Sequence, residues 1–409
     1  MWKAVAYQPE DLPEAAAMAR EYYGESWVSD PQYLNWQYAD NPGGPAFIQL
    51  ARDEESGRLA GQYVALPTQV SAYGRTLTGA LTVNILTRQA YIGQGVFTGL
   101  AQAIYRDFPE QGVDFCYGLP NPNSHSKFVQ KLEFNDLGRI PLLLRPLDLK
   151  ALVRRKIGSL LSPLALPLHL YFQIKKQTPA NGLPAESGSD RSSAGDHSSA
   201  EGNSSAENHS YEVFPLSLAE LSWFDAFWLK IQNKYPIIAV RDAAFIRWRY
   251  FTNPYRKYQL YGVRPKGGSG SDFTGYIAGR CTEVDGIASG MVVDFLVEPG
   301  HAAAGHALLR RLLQDFAGKG MELAGCLMLS HTEESRILKA NRFFTCPKSL
   351  EPQPFPLIYR RFTSPEKETP EDHGPEHQAA RSPESPGRSE DPFLKLKNWF
   401  LTMGDYDAV

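Results

Sequence analysis

Tyr33-Leu34-Asn35-Trp36-Gln37-Tyr38-Ala39-Asp40-Asn41-Pro42 and Phe245-Ile246-Arg247-Trp248-Arg249-Tyr250-Phe251-Thr252-Asn253-Pro254 carry Trp, Tyr, Asn and Pro at one spacing, displaced by 212 residues. Only seven tryptophans occur in 409 residues, so two in matching frames point to an internal duplication. The elements after each frame repeat too. A strand comes next (47–52; 258–264), then a turn and a strand opening on glycine (61–65; 275–278). An apolar strand succeeds it (80–86; 290–297), then a Gly-bearing turn and an amphipathic helix (96–108; 303–316). A further strand (113–118; 323–329) and a second helix close each half. Strands alternating with helices define an α/β (α+β) class, two tandem copies of one domain with mixed central sheets flanked by helices.

Composition marks the boundaries. Residues 177–210 are almost wholly Ser, Gly, Ala, Asn and charge, and 364–392 are rich in Pro, Glu, Ser and Arg. Neither stretch can bury enough apolar surface to offset its ordering entropy, so both read as flexible linkers. The predicted organisation is therefore a first domain (1–145), a connector (146–176), a linker (177–210), a second domain (211–363), a second linker (364–392) and a C-terminal docking segment (393–409). Phe393, Leu394, Leu396, Trp399, Phe400 and Leu401 make that last segment too apolar to be an idle tail. The connector holds 18 residues without a formal charge between Lys156 and Lys175, interrupted by Pro163 and Pro167. That is short for a spanning helix. Two readings stay open: helices packed across the domains, or an interfacial segment in peripheral contact with anionic lipid.

A net charge of -3 and a pI near 6.3 argue against a nucleic-acid partner. The four cysteines form no CxxC pair and no metal-ligand spacing, so no metal is expected. The first residues hold acidic side chains where a signal peptide needs an apolar run, which predicts a cytoplasmic protein.

The turn Thr87-Arg88-Gln89-Ala90-Tyr91-Ile92-Gly93-Gln94-Gly95-Val96-Phe97, with Tyr117-Gly118-Leu119-Pro120-Asn121-Pro122-Asn123-Ser124 and Phe128 to Phe134, resembles the GCN5-related N-acetyltransferase (GNAT) superfamily. The resemblance covers about 300 residues, and a bacterial subgroup with links to surface-polysaccharide pathways is the nearest in pattern. It implies acetyl-CoA or another acyl-CoA as co-substrate, its pyrophosphate on the backbone of Ile92, Gly93, Gln94, Gly95, Val96 and Phe97. Glycines in a strand-to-helix turn let backbone N–H groups close on phosphate, and the helix dipole adds positive charge. The pantetheine arm would lie along the strand ending at Leu86, Thr87 and Arg88. Ala90 and Ile92 stand where members often carry Gln or Arg, so Arg88 is the cation expected to compensate. Val129 occupies the place of a tyrosine that protonates the leaving thiolate. Asn84 replaces an Asp on the substrate-facing strand. The corresponding turn of the second half, Glu298 to Gly305, lacks the glycine pair, so that half is expected to hold no CoA.

Acyl transfer needs a proton acceptor and groups to polarise the carbonyl. Asn84, Asn123, Ser124, Asp405 and Asp407 are the candidates, with the alternatives that Ser124 is only a helix cap and the two aspartates only solvated. The expected activity is N-acyl transfer to a small-molecule or glycan amine, such as an amino sugar. The alternative is a degenerate scaffold of the same fold. Aminoacyl transfer from charged tRNA, as in FemX-like enzymes, is disfavoured by the acidic balance.

Overall fold

The computed structural model describes residues 1–152, 210–362 and 391–406. Most of the connector, both linkers and Asp407 therefore lie outside the described residues. The first half runs β1 (Trp2–Ala6), α1 (Leu12–Tyr23), α2 (Pro31–Tyr38), β2 (Phe47–Asp53), β3 (Leu59–Ala72), β4 (Arg75–Thr87), α3 (Val96–Asp107), β5 (Phe115–Gly118), α4 (Pro122–Lys131), β6 (Asn135–Arg139) and β7 (Leu142–Pro146). The second runs β8 (Tyr211–Pro215), α5 (Trp223–Ile231), β9 (Ile237–Ala239), α6 (Ala243–Ile246) with a π turn (Arg247–Phe251), β10 (Gln259–Pro265), β11 (Gly275–Val284) and β12 (Ile287–Val297). It continues with α7 (Ala302–Gly318), β13 (Leu323–Leu327), α8 (Glu333–Ala340), β14 (Phe344–Thr345) and β15 (Pro356–Arg361), and β16 (Trp399–Phe400) lies in the C-terminal segment.

Each half builds a mixed sheet, and the two orders correspond strand for strand: β1-β2-β3-β4-β5-β15-β6 and β8-β10-β11-β12-β13-β7-β14. The last strand of each half completes the other half's sheet. Thus β7 pairs antiparallel with β13 and β14, and β15 with β5 and β6. Each sheet thus draws on both halves of the chain. Apolar burial follows this exchange. The largest cluster joins Leu34, Leu66 and Tyr117 of the first half with Ile246, Leu296 and Phe316 of the second.

The two frames meet at the axis of this pseudo-symmetry. Trp36 and Trp248 stack with ring centroids 4.6 Å apart at 14°. Each indole Nε1 donates to the other's backbone carbonyl, at 3.1 and 3.0 Å. Asp30 and Asp242, also 212 apart, cap α2 and α6 by accepting backbone N–H groups. Removing one indole N–H deletes a part-buried hydrogen bond, so Trp36→Phe and Trp248→Phe should each cost about 1 kcal/mol. The double variant should cost less than their sum, because the two bonds share one stack. Urea unfolding of the three variants measures this, and strict additivity would show that the rings are not coupled.

Among the described residues no helix is long and apolar enough to cross a membrane.

Candidate functional site

Strands β4 and β5 run parallel only from Gly79↔Phe115 to Leu81↔Tyr117, then part. Beyond that point Thr82 to Ile85 are half-buried, with one edge of β4 left in an open split. A bulge shapes this edge: Gln62 pairs with Leu86 and Val64 with Val83, so Asn84 and Ile85 together oppose Tyr63. Asn84 takes φ +47°, a left-handed conformation that asparagine tolerates.

The split opens toward the glycine turn. Gly93 and Gly95 have φ +87° and +77°, which non-glycine residues adopt only with strain. No atom outside the turn crowds Gly93, and Gly95 meets only Thr98 Oγ1 at 3.9 Å. Gly95 is the N-cap of α3 and offers no side-chain acceptor, so the first N–H groups of the helix face outward. Trp2 Nε1 donates to Gln94 O at 3.0 Å and holds the turn against β1. Ile92 is exposed at the tip. Arg88 does not compensate for the missing cation. Its guanidinium donates to Glu21 at 2.9 and 3.0 Å and to Leu59 O at 2.5 Å, which ties Arg88 to α1 and β3 instead. Thr87 O accepts from the Tyr22 hydroxyl, and Leu86 is buried.

Beside the bulge lies a polar cluster that carries no charge. Asn84 Nδ2 donates to Gln37 Oε1 at 2.9 Å and to the Tyr38 hydroxyl at 3.2 Å, and Gln62 Nε2 donates to Asn84 O at 2.8 Å. Burial pushes the Tyr38 phenol well above its ordinary range. None of the four can take a proton near neutral pH. On the far side of the split Asn121, not Ser124, caps α4, accepting from Asn123 N at 3.0 Å and Ser124 N at 3.1 Å. Pro122 fills the first helical position, which moves Ser124 to the third. Asn123 and Ser124 thus stand in the first turn of α4.

The equivalent split of the second half is filled by the chain itself. Strands β12 and β13 pair from Ser289↔Leu323 to Val292↔Cys326, then part. Gly404 N donates to Val293 O at 2.8 Å, inside the gap. A Cβ on Gly404 would stand 2.5 Å from the Tyr250 hydroxyl and 2.9 Å from Asp294 Oδ2, so only glycine passes. Asp294 is the positional counterpart of Asn84, since Val297 and Thr87 pair with Gly275 and Gly61. It accepts from Arg241 Nε at 2.9 Å, Tyr276 at 2.6 Å, Tyr250 at 2.8 Å and Thr402 Oγ1 at 3.0 Å. Arg241 Nη2 reaches Asp405 at 2.7 Å. Burial alone would lower the guanidinium, but Asp294 and Asp405 hold it well above its ordinary value. Burial pushes the Asp405 carboxyl up while Arg241 pulls it down and Asp294 adds to the rise. Asp405 therefore belongs to the second half's buried network and is not solvated.

A further feature has no signature in either stretch of sequence, because the two halves build it together. A cleft, partly open to solvent, lies between Asn41, Thr68 and Gln69 of the first half and Asp242, Trp248 and Asp405. Thr68 accepts from the Tyr117 hydroxyl at 3.3 Å, so the cleft adjoins the last paired residues of β5.

An open split on a parallel pair, a glycine turn capping a helix and a repeated mixed sheet are the features to set beside known folds. Residues 6–135 match the family described as "Acetyltransferase (GNAT) domain". The whole chain resembles the duplicated GNAT fold. A probable N-acyltransferase from Enterococcus faecalis V583 superposes with TM-score 0.54 at 11% identity, over 88% of this chain and 73% of that one. Saccharomyces cerevisiae N-myristoyltransferase with bound myristoyl-CoA gives TM-score 0.54 at 10% identity, over 88% and 82%. A GCN5-related N-acetyltransferase from Anabaena variabilis gives 0.52 at 12%, over 89% and 73%. At these identities the likeness speaks for the fold alone. No curated protein matches the sequence.

Proposed function

We propose that the chain transfers an acyl group from acyl-CoA to an amine, using the first half alone for CoA. The observation that carries this reading is the contrast between the splits: one is open beside a glycine turn, the other is occupied by Gly404. The pyrophosphate would rest on backbone N–H groups from Ile92 to Phe97, and the pantetheine arm would add to the free edge of β4 from Thr82 to Leu86. In the reaction the amine nitrogen attacks the thioester carbon, the C–N bond forms as the C–S bond breaks, and the ammonium proton must leave. Gln37, Gln62 and Asn84 can orient the thioester but cannot accept that proton. Of the two carboxylates that line the inter-half cleft, Asp405 is enclosed with Arg241, which leaves Asp242 as the one open to an acceptor. The cleft sets a few polar groups, Asn41, Gln69 and Asp242, among apolar walls of Leu66, Leu81 and Phe245, and an amino sugar or glycan precursor could offer its amine to them. A scaffold without turnover is the second reading, favoured by the neutral cluster at the bulge.

Calorimetry with acetyl-CoA should show at most one site per chain. Gly95→Asp forces a non-glycine residue to φ +77° and sets a carboxylate against phosphate, so it should weaken binding at least about tenfold. Unchanged binding by Gly95→Asp would place CoA elsewhere. Binding without acyl transfer to any tested amine would favour the scaffold.

A further inference from the structure

The two Asn-Pro frames keep one displacement as far as the next strands, since β2 opens at Phe47 and β10 at Gln259. Tyr255 is therefore the counterpart of Gly43, and the backbone agrees. Asn253 Oδ1 accepts from Tyr255 N at 3.0 Å as Asn41 Oδ1 accepts from Gly43 N at 2.9 Å. The Tyr255 hydroxyl crosses to the first half and donates to Asp30 Oδ2 at 2.6 Å. Its ring stands edge-on to Tyr33, with centroids 6.3 Å apart at 86°. Asp30 uses Oδ1 for the start of α2, accepting from Gln32 N and Tyr33 N. Across the axis, Asp242 Oδ1 likewise accepts from Phe245 N at 2.8 Å. Among the described residues no hydrogen bond reaches Asp242 Oδ2, because Gly43 has no side chain to send across. Gly43, Asp242 and Phe245, the counterparts of Tyr255, Asp30 and Tyr33, all line the inter-half cleft. The first half cannot refill that place itself. A Cβ on Gly43 would stand 2.5 Å from Pro67 O, to which Asn41 Nδ2 donates at 3.1 Å.

We propose that this cleft binds a six-membered ring carrying a hydrogen-bond donor on its rim, seated where the pseudo-symmetry calls for a tyrosine, with the donor on Asp242 Oδ2. Tyr255 displays the chemistry on the occupied side: a ring against an aromatic neighbour and a short bond to a carboxylate. A bond to an ionised acceptor is about twice as strong as a neutral one, so the donor is a large part of recognition. The apolar walls suit the body of a ring, for Leu66 and Leu81 are each 4% exposed. Leu81 is also the last residue of β4 paired with β5, where the open split begins. Aminoaryl compounds and amino sugars share the required chemistry. The inference rests on the acyl-transfer reading at one point, that the donor is the amine to be acylated. Binding of the ring itself needs no CoA.

Ligand-observed NMR titration of the full chain without CoA tests the site. The probe is p-cresol, the tyrosine side chain cut at its Cβ, and toluene is the same ring without the donor. The wild type should bind p-cresol at least about fivefold more tightly than toluene. Asp242→Asn keeps a good N-cap on α6 but turns an amide N–H toward the ring's donor. It should weaken p-cresol at least about fivefold and leave toluene unchanged. Ala244→Phe, at an exposed position lining the cleft, should weaken both. Displacement of p-cresol by glucosamine would support the site and make the ring a pyranose. Displacement by p-toluidine alone would support it and make the ring aryl. No binding of p-cresol, equal binding of toluene, displacement by neither amine, or affinity untouched by both variants would overturn the proposal. Ring binding by a chain that binds no acetyl-CoA would leave the site standing and remove the acyl-transfer reading.

Discussion

A chain ending at residue 390 is expected to lose its cooperative melting transition. Phe393, Trp399, Phe400, Leu401 and Met403 are each at most 3% exposed. At about 1.5–3 kcal/mol per buried side chain, their removal forfeits at most roughly 8–15 kcal/mol. A domain's whole stability is only about 5–15 kcal/mol. The loss is not confined to one contact. β16 pairs with β9, which itself pairs with Val70–Ala72 at the far end of β3, so the segment bridges both halves. Phe400 stacks on Tyr235 at 4.7 Å, and Arg249 donates to the carbonyls of Met403 and Tyr406. Without the segment, Asp294 loses Thr402 and Arg241 loses Asp405. Calorimetric scans of the truncated chain should show no sharp peak, and a hydrophobic dye should bind it in the cold. A truncated chain melting within a few degrees of the full one would show that the segment adds nothing to the fold.

Much of this architecture is legible in residues, and the hidden part has a physical cause. The Trp36 and Trp248 frames reveal the duplication because a stack on a pseudo-symmetry axis needs the same side chain twice. The open first split is signalled by Gly93 and Gly95, whose positive φ values are the reason for glycine there. Strand exchange leaves no signal. Leu142 to Pro146 and Pro356 to Arg361 are short apolar strands that satisfy either sheet equally well, and only the global topology decides. Ser124 loses the cap because Pro122 fixes the helix start one residue after Asn121. Arg88 lies close enough in sequence to stand in for the cations absent at Ala90 and Ile92, but Glu21, distant along the chain, claims it. Gly404 carries its meaning only in three dimensions: it fits where Tyr250 and Asp294 leave no room for a Cβ. Asp405 is visible as a residue, yet its burial depends on Arg241, 164 positions earlier in the chain.

Arg241→Met should lower stability by about 3–5 kcal/mol at neutral pH, because it leaves Asp294 and Asp405 buried with no cation between them. Both carboxylates and the guanidinium are fully enclosed at the side chain, so water cannot substitute for the lost partner. The remedy for an unpaired buried charge is to neutralise it. Arg241→Met combined with Asp294→Asn and Asp405→Asn should therefore recover at least half of the loss. The pH dependence carries the same logic with a definite sign. The Asp405 carboxyl is already raised by burial, and without Arg241 only its hydrogen bonds from Thr402 oppose that rise. A carboxyl whose folded value exceeds its unfolded value of about 3.9 gives stability that is full below that value and is lost as pH rises through the folded value. The variant should thus approach the wild type at pH 5 and fall away from it by pH 8, while the triple variant should show no such divergence. Thermal melts across that range measure both. If the second split is only a structural partner, acetyl-CoA should bind the folded Arg241→Met chain at pH 5 as tightly as the wild type. A loss that is equal at pH 5 and pH 8, and unrelieved by the asparagines, would mean that Arg241 acts through packing and not through charge.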